Sequence, residues 1–213
     1  MYNAGAQVLG VFLERAAGKP LAAFLRERLF EPLGMVDTAF NVSPEQRDRF
    51  TTAYAPDPES GAVSVLDRPE NSWWNQPPAF PDASGWLLST LDDYWSFVQM
   101  MLSQGVRNGD RILGEEAVTR MTTNHLTPAQ REANRVFLEG HGWGFGMRTP
   151  AADAIATTGP AGFGWDGGTG TAWRSDVERD LTCILFTQRA MTSPEPPEIF
   201  IDFFDGAYQA LAD

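Results

Sequence analysis

The strongest constraint on this chain is a change of hydrophobic period part-way along it. Residues 4–17 place Val8, Leu9, Phe12, Leu13 and Ala16 at helical spacing, and Gly18 suits the left-handed residue that stops such a helix. Pro20 fits a first helical position. Leu21, Phe24, Leu25 and Leu29 continue a second amphipathic stripe, which Pro32 and Gly34 end. Thr90 and Asp93 stand at capping-box spacing ahead of Tyr94, Phe97, Val98, Met101 and Leu102, and Gly105 closes that helix. Further helices are predicted over 114–123 and from Thr127-Pro128. Beyond residue 136 the pattern turns to strands. The run Gly142-Trp143-Gly144-Phe145-Gly146-Met147 alternates at period two, and 169–174 with 181–187, joined by a polar 175–180, read as an antiparallel hairpin. A last helix starts near Glu198 and carries Ile199, Phe200, Phe203, Phe204, Ala207 and Leu211. Helices, then strands, then one closing helix predict an α+β fold. Its organisation is a helical lobe over 1–135 and strands with a closing helix over 136–213, the two together forming one functional domain.

Residues 41–83 follow neither period. They are rich in Pro, Ser, Asp and Asn and carry Trp73 and Trp74. A loop this long is expected to wrap the surface. Its tryptophans are expected to plug a core, with the lining of a cleft as the alternative.

Composition narrows the function. Sixteen basic against 28 acidic residues give a net charge of −12, which repels phosphate backbones and argues against a nucleic-acid partner. No apolar run reaches membrane-spanning length. Cys183 is the only cysteine and sits in an apolar run, so it reads as a buried thiol and leaves the compartment open. His125 and His141 have no acidic ligand pattern beside them, so neither a metal nor a cofactor is implied. No G-x-S-x-G elbow is present, and a Ser-His-Asp triad is unsupported.

Four segments carry the chemistry. They are residues 2–10, beginning Tyr2-Asn3; the block Phe30-Glu31-Pro32-Leu33-Gly34-Met35-Val36-Asp37-Thr38-Ala39-Phe40; the helix entry Ser84-Gly85-Trp86-Leu87-Leu88-Ser89-Thr90-Leu91-Asp92-Asp93-Tyr94; and Gly164-Trp165-Asp166-Gly167-Gly168-Thr169-Gly170-Thr171. Together and in this order they resemble the serine β-lactamase and penicillin-binding-protein family, on its class C, esterase-like branch. The resemblance implies a β-lactamase/transpeptidase-like fold, here a helical lobe with an incomplete antiparallel sheet and a C-terminal helix. Its cleft is expected between the lobes, near Tyr2 and Trp165.

The resemblance also implies roles. Tyr2 is the base or proton relay, a task that requires nearby cations to act on its ordinary pKa of ~10; packing at a helix start is the alternative. Asn3 contacts substrate or caps the helix, and Ala4 stands where many class C enzymes have asparagine. Trp165, Asp166 and Gly167 occupy the position of a Lys-Thr-Gly motif. Without that lysine, and with Asp166 repelling a carboxylate, a neutral ester fits better than a β-lactam. The N–H of Gly168 is half of an oxyanion hole, with a plain hairpin glycine as the alternative.

The nucleophile motif itself is missing. Lys19 is the only lysine, and Ala16 stands three residues before it, so no Ser-x-x-Lys occurs in the 213 residues. The expectation is therefore a portion of a serine hydrolase acting on a small ester or amide through an acyl-serine intermediate, inactive by itself. Completion by an N-terminal segment or self-association is expected, since a truncated sheet would expose an edge. The alternative reading is a non-catalytic binding or interaction module on the same fold.

Overall fold

The computed structural model describes residues 3–57, 59–138, 140–151 and 162–211. Two compact units emerge: residues 1–54 with 65–112, and residues 55–64 with 113–213.

The first unit opens with α1 (Asn3–Ala17), ended by Gly18 at φ +65° as its sequence predicts. The next helix keeps its expected extent but not its expected form. It runs as α2 (Leu21–Leu25), a π turn over Arg26–Phe30, and α3 (Glu31–Leu33), which contains Pro32. In a regular α-helix the Pro32 ring would meet the carbonyl of Arg28. The wider turn, in which Glu31 N–H donates to Arg26 O, lets the chain pass the proline before Gly34 ends it at φ +70°. Strands β1 (Ala53–Pro56) and β2 (Val63–Asp67), each of which has residues in both units, pair as a hairpin. They lie in the stretch expected to be a structureless loop, whose remainder contains three 3-10 turns. Helix α4 (Leu91–Leu102) buries Val98, Met100 and Met101 completely, and the short strands β3 (Val106–Arg107) and β4 (Asp110–Arg111) follow it.

In the second unit α5 (Glu115–Met121), α6 (Pro128–Ala133) and α7 (Arg135–Leu138) precede an antiparallel sheet. Its strands, in spatial order, are β5 (Gly142–Trp143), β6 (Arg148–Thr149), β7 (Phe163–Gly167), β8 (Thr171–Asp176) and β9 (Leu181–Phe186). The single strand expected over 142–147 is instead two short strands around a tight bend. Gly146 at φ +82° makes the turn, and Gly144 N–H donates to Met147 O. A Cβ on Gly144 would lie 1.8 Å from Met121 O, so this glycine serves close backbone approach rather than strand alternation.

The hairpin of β8 and β9 forms as predicted, turning through Asp180 at φ +50°. Helix α8 (Glu198–Gln209) covers one sheet face, with Phe200 and Phe204 packed against Ala172 and Cys183. Burying each phenylalanine contributes roughly 1.5–3 kcal/mol. Strand β9 has a neighbour on one side only among the described residues, so its other edge is open.

Candidate active site

The turn between β7 and β8 is the most constrained piece of backbone among the sequence-predicted site residues. The ladder ends at Gly167↔Thr171, leaving a three-residue loop, and Gly170 N–H donates to Gly167 O at 2.9 Å. Gly170 adopts φ +96° whereas Thr169 stays out of the left-handed region, which describes a type I turn followed by a left-handed residue. Thr187 N–H and Oγ1 both donate to Gly170 O, and Met191 N–H donates to Gly168 O. A Cβ on Gly170 would lie 2.2 Å from Arg189 O, and one on Gly167 would lie 2.3 Å from Thr171 Oγ1. Gly168 differs. Open space surrounds its Cα, and its N–H has no acceptor among the described residues. A rigidly held, unpaired backbone donor at a strand end has the geometry that oxyanion stabilisation needs.

Side chains alternate between the faces of β7. Trp165 is half-buried, and the ring of Trp143 meets it edge-on at 4.5 Å. Asp166 points to the face that α8 covers. Its Oδ2 accepts from Arg174 Nη2 at 2.7 Å, with the two side chains 13% and 4% exposed, and the Arg174 guanidinium lies 5.1 Å from the centre of the Phe204 ring. The negative charge read from the sequence at this position is thus neutralised by an arginine.

His141 is buried, and its pKa is pushed down to about 4 by burial and by the charges of Arg148 and Arg174. It is a neutral imidazole at pH 7. His125 stacks on Phe145 at 4.7 Å, and its Nε2 meets Arg120 O at 2.7 Å. Among the described residues no three potential ligands gather as a metal would require.

In the first unit Tyr2 lies outside the described residues, and Asn3 is the exposed first residue of α1. The same helix carries Gly10, whose Cβ would meet Ala83 Cβ at 2.8 Å, and Gln7, whose Nε2 donates to Asp82 Oδ2 at 2.7 Å. The second and third motifs are knitted together by Asp93. Its buried Oδ2 accepts from Asp37 N–H and from Thr38 Oγ1, both at 2.8 Å. Thr90 Oγ1 accepts from Asp93 N–H as a helix cap should, but the Asp93 carboxylate does not complete a capping box. Thr38 and Ser89 hydroxyls also meet at 2.8 Å, beside the bridge Ala39↔Leu88. Thus Asp93 serves architecture, a role that sequence spacing alone assigns to the helix end.

Trp73 and Trp74 do not plug a core. Trp73 is 63% exposed; Trp74 stacks on Trp86 at 5.3 Å and donates its Nε1–H to Trp86 O. Trp86 holds φ +72°, a left-handed conformation that costs a non-glycine residue about 1–3 kcal/mol. Sequence reasoning missed Trp86 as a member of this cluster, because nothing local marks a tryptophan in that conformation.

Comparison with known proteins agrees with these motifs. Residues 1–201 match the Beta-lactamase family model. Protein Rv1367c of Mycobacterium tuberculosis is 34% identical over 209 residues, covering 94% of this chain and 50% of that protein. Esterase EstB of Burkholderia gladioli is 29% identical over 217 residues, covering 92% and 51%. Simvastatin synthase (LovD) from Aspergillus terreus, as its LovD6 mutant, superposes with a TM-score of 0.76 at 19% identity, covering 95% of this chain and 53% of that one. The chain belongs to the Beta-lactamase family and has the β-lactamase/transpeptidase-like fold expected of it. It spans about half the length of the curated relatives it matches.

Proposed function

We propose that these 213 residues carry the tyrosine side and the oxyanion strand of an esterase-type serine acyl-hydrolase. The serine and lysine are supplied from outside them. The observation that carries this reading is the Gly168 N–H: a donor without an acceptor among the described residues, on a turn pinned by flanking backbone bonds, at the end of the strand bearing Trp165. In an acyl transfer this N–H would meet the carbonyl oxygen as it gains charge, and Tyr2 would move the proton of the attacking hydroxyl. Trp165 and the neutralised Asp166–Arg174 pair offer no cation for a substrate carboxylate, which favours a neutral ester. The relative named as an esterase supports the same choice.

The test uses the turn itself. Gly168 is the second residue of a type I turn, where proline is well accommodated, so Gly168→Pro removes the N–H without opposing the backbone. Gly168→Ala keeps the donor and has room for its methyl group. With the chain complemented by a Ser-x-x-Lys segment, Gly168→Pro should lower turnover of p-nitrophenyl butyrate ~10²–10³-fold, and Gly168→Ala should leave it largely unchanged. Equal turnover in both variants would remove Gly168 from the chemistry. Reversible ligand binding with no fluorophosphonate adduct in the complemented protein would favour a non-catalytic binding module.

A further inference from the structure

Two recesses in the first unit share one lining residue, the exposed Trp73. One, of about 260 Å³, is aromatic and lies among Phe40, Trp74, Phe80 and Trp86. Asp82 borders it, but its carboxylate is engaged by Gln7 Nε2 and by Ser84 Oγ at 2.6 Å. The other, of about 440 Å³, is polar and bordered by Arg47, Glu70, Asn71 and Gln76. Among the described residues no hydrogen bond or ion pair engages these four side chains.

We propose that Trp73 divides a two-part binding site for an uncharged glycoside with an apolar aglycone. The aglycone occupies the aromatic recess, and the sugar ring lies on the polar side, against the indole. Three features select this class of ligand. First, the polar recess carries one guanidinium and one carboxylate, whose charges sum to zero and favour no charged head group, and the amides of Asn71, Asn75 and Gln76 offer donors and acceptors alike. Hydroxyl groups, which both donate and accept, match that set. Second, the tryptophan face carries an apolar surface beside polar groups, as the mixed faces of a sugar ring require. Third, the aromatic side is held in shape by the Trp74–Trp86 stack and by the strained backbone of Trp86, and such strain concentrates where ligands are clamped. The net charge of −12 disfavours a nucleic acid on the same rings.

The experiment is calorimetric titration of this chain with phenyl glucoside, phenyl galactoside and phenyl mannoside, and with phenol and methyl glucoside as the separate halves. At least one phenyl glycoside should bind saturably and at least tenfold more tightly than either half. Trp73→Ala should weaken it at least tenfold, and Trp73→Phe should fall between. Because Trp73 is exposed, circular dichroism and Tm should report a fold close to the parent's. Asn71→Ala with Gln76→Ala provides a second readout, which should erase the preference over phenol and leave phenol binding unchanged. Saturable binding of none of the glycosides, affinity equal to that of phenol, or binding indifferent to both sets of variants would each overturn the proposal. So would tighter binding of benzoate or benzylamine than of any glycoside.

Discussion

Asp93→Ala should destabilise the first unit far more than the same change at its neighbour Asp92. The Asp93 Oδ2 accepts two hydrogen bonds of 2.8 Å, from Asp37 N–H and Thr38 Oγ1. Bonds to a charged acceptor are worth about 1.5–3 kcal/mol each. Ser89 Oγ, also 2.8 Å from Thr38 Oγ1, can take over part of the second bond, which brings the expected loss to about 2–4 kcal/mol. Asp93→Asn keeps a neutral oxygen in place and should lose about 1–2 kcal/mol. Asp92 is exposed in the first turn of α4, where a carboxylate contributes about 0.3–1 kcal/mol. With a urea slope of about 2 kcal/mol per molar, Asp93→Ala should move the midpoint down by about 1–2 M. Hydrogen exchange at the amides of residues 37–39 locates the loss. A midpoint within about 0.3 M of that of Asp92→Ala, with protection at those amides unchanged, would refute the tie between the two motifs.

Three further outcomes are expected. Arg174→Ala leaves the Asp166 carboxylate buried without its partner and should cost about 3–5 kcal/mol, whereas Asp166→Asn with Arg174→Met should recover most of that in thermal unfolding. Gly170→Ala, at φ +96° and with its Cβ 2.2 Å from Arg189 O, should lower Tm by several degrees, while Gly168→Ala should shift it by about a degree or less. His141 has a folded pKa near 4 against about 6.5 unfolded, so its neutral form is the one the fold accepts. Its contribution is complete above pH 6.5 and is lost as pH falls from 6.5 to 4, by about 3 kcal/mol at most. His141→Gln should flatten the pH dependence of the urea midpoint in that window; an unchanged slope would remove His141 as its cause. Asp176 titrates on the other side of that window. Burial raises its pKa, but Tyr208 and Arg179 outweigh this and hold it below the usual carboxylate range, so its stabilising effect is lost only under more acid conditions.

What the sequence made legible is local in origin. The N-caps at Thr90 and Thr127, the left-handed stop at Gly18, the hairpin of β8 with β9 and the start of α8 at Glu198 all follow from periodicity and turn chemistry within a few residues. The failures involve partners distant in sequence. Gly144 alternates with bulky residues as a strand would, yet its lack of a side chain is set by Met121 O. Asp93 sits at cap spacing, yet its carboxylate turns to Thr38, 55 residues away. Asp166 reads as a charge facing substrate until Arg174 is seen beside it on β8. Pro32 reads as a helix stop, and only the widened turn before it shows how one more helical turn passes. Trp73 reads as core by its size, but it stands between an aromatic recess and a polar one and remains on the surface.

The most direct measurement is ester turnover by this chain by itself and after complementation with a Ser-x-x-Lys segment. On the proposed reading the chain would contribute Tyr2 and Gly168, and its 213 residues contain no Ser-x-x-Lys motif. The expected result is no hydrolysis of p-nitrophenyl butyrate and no fluorophosphonate adduct on the chain alone, with both appearing on complementation and turnover lost again in Tyr2→Phe. Turnover by the chain alone that Tyr2→Phe abolishes would contradict this, since it would place the nucleophile within these residues.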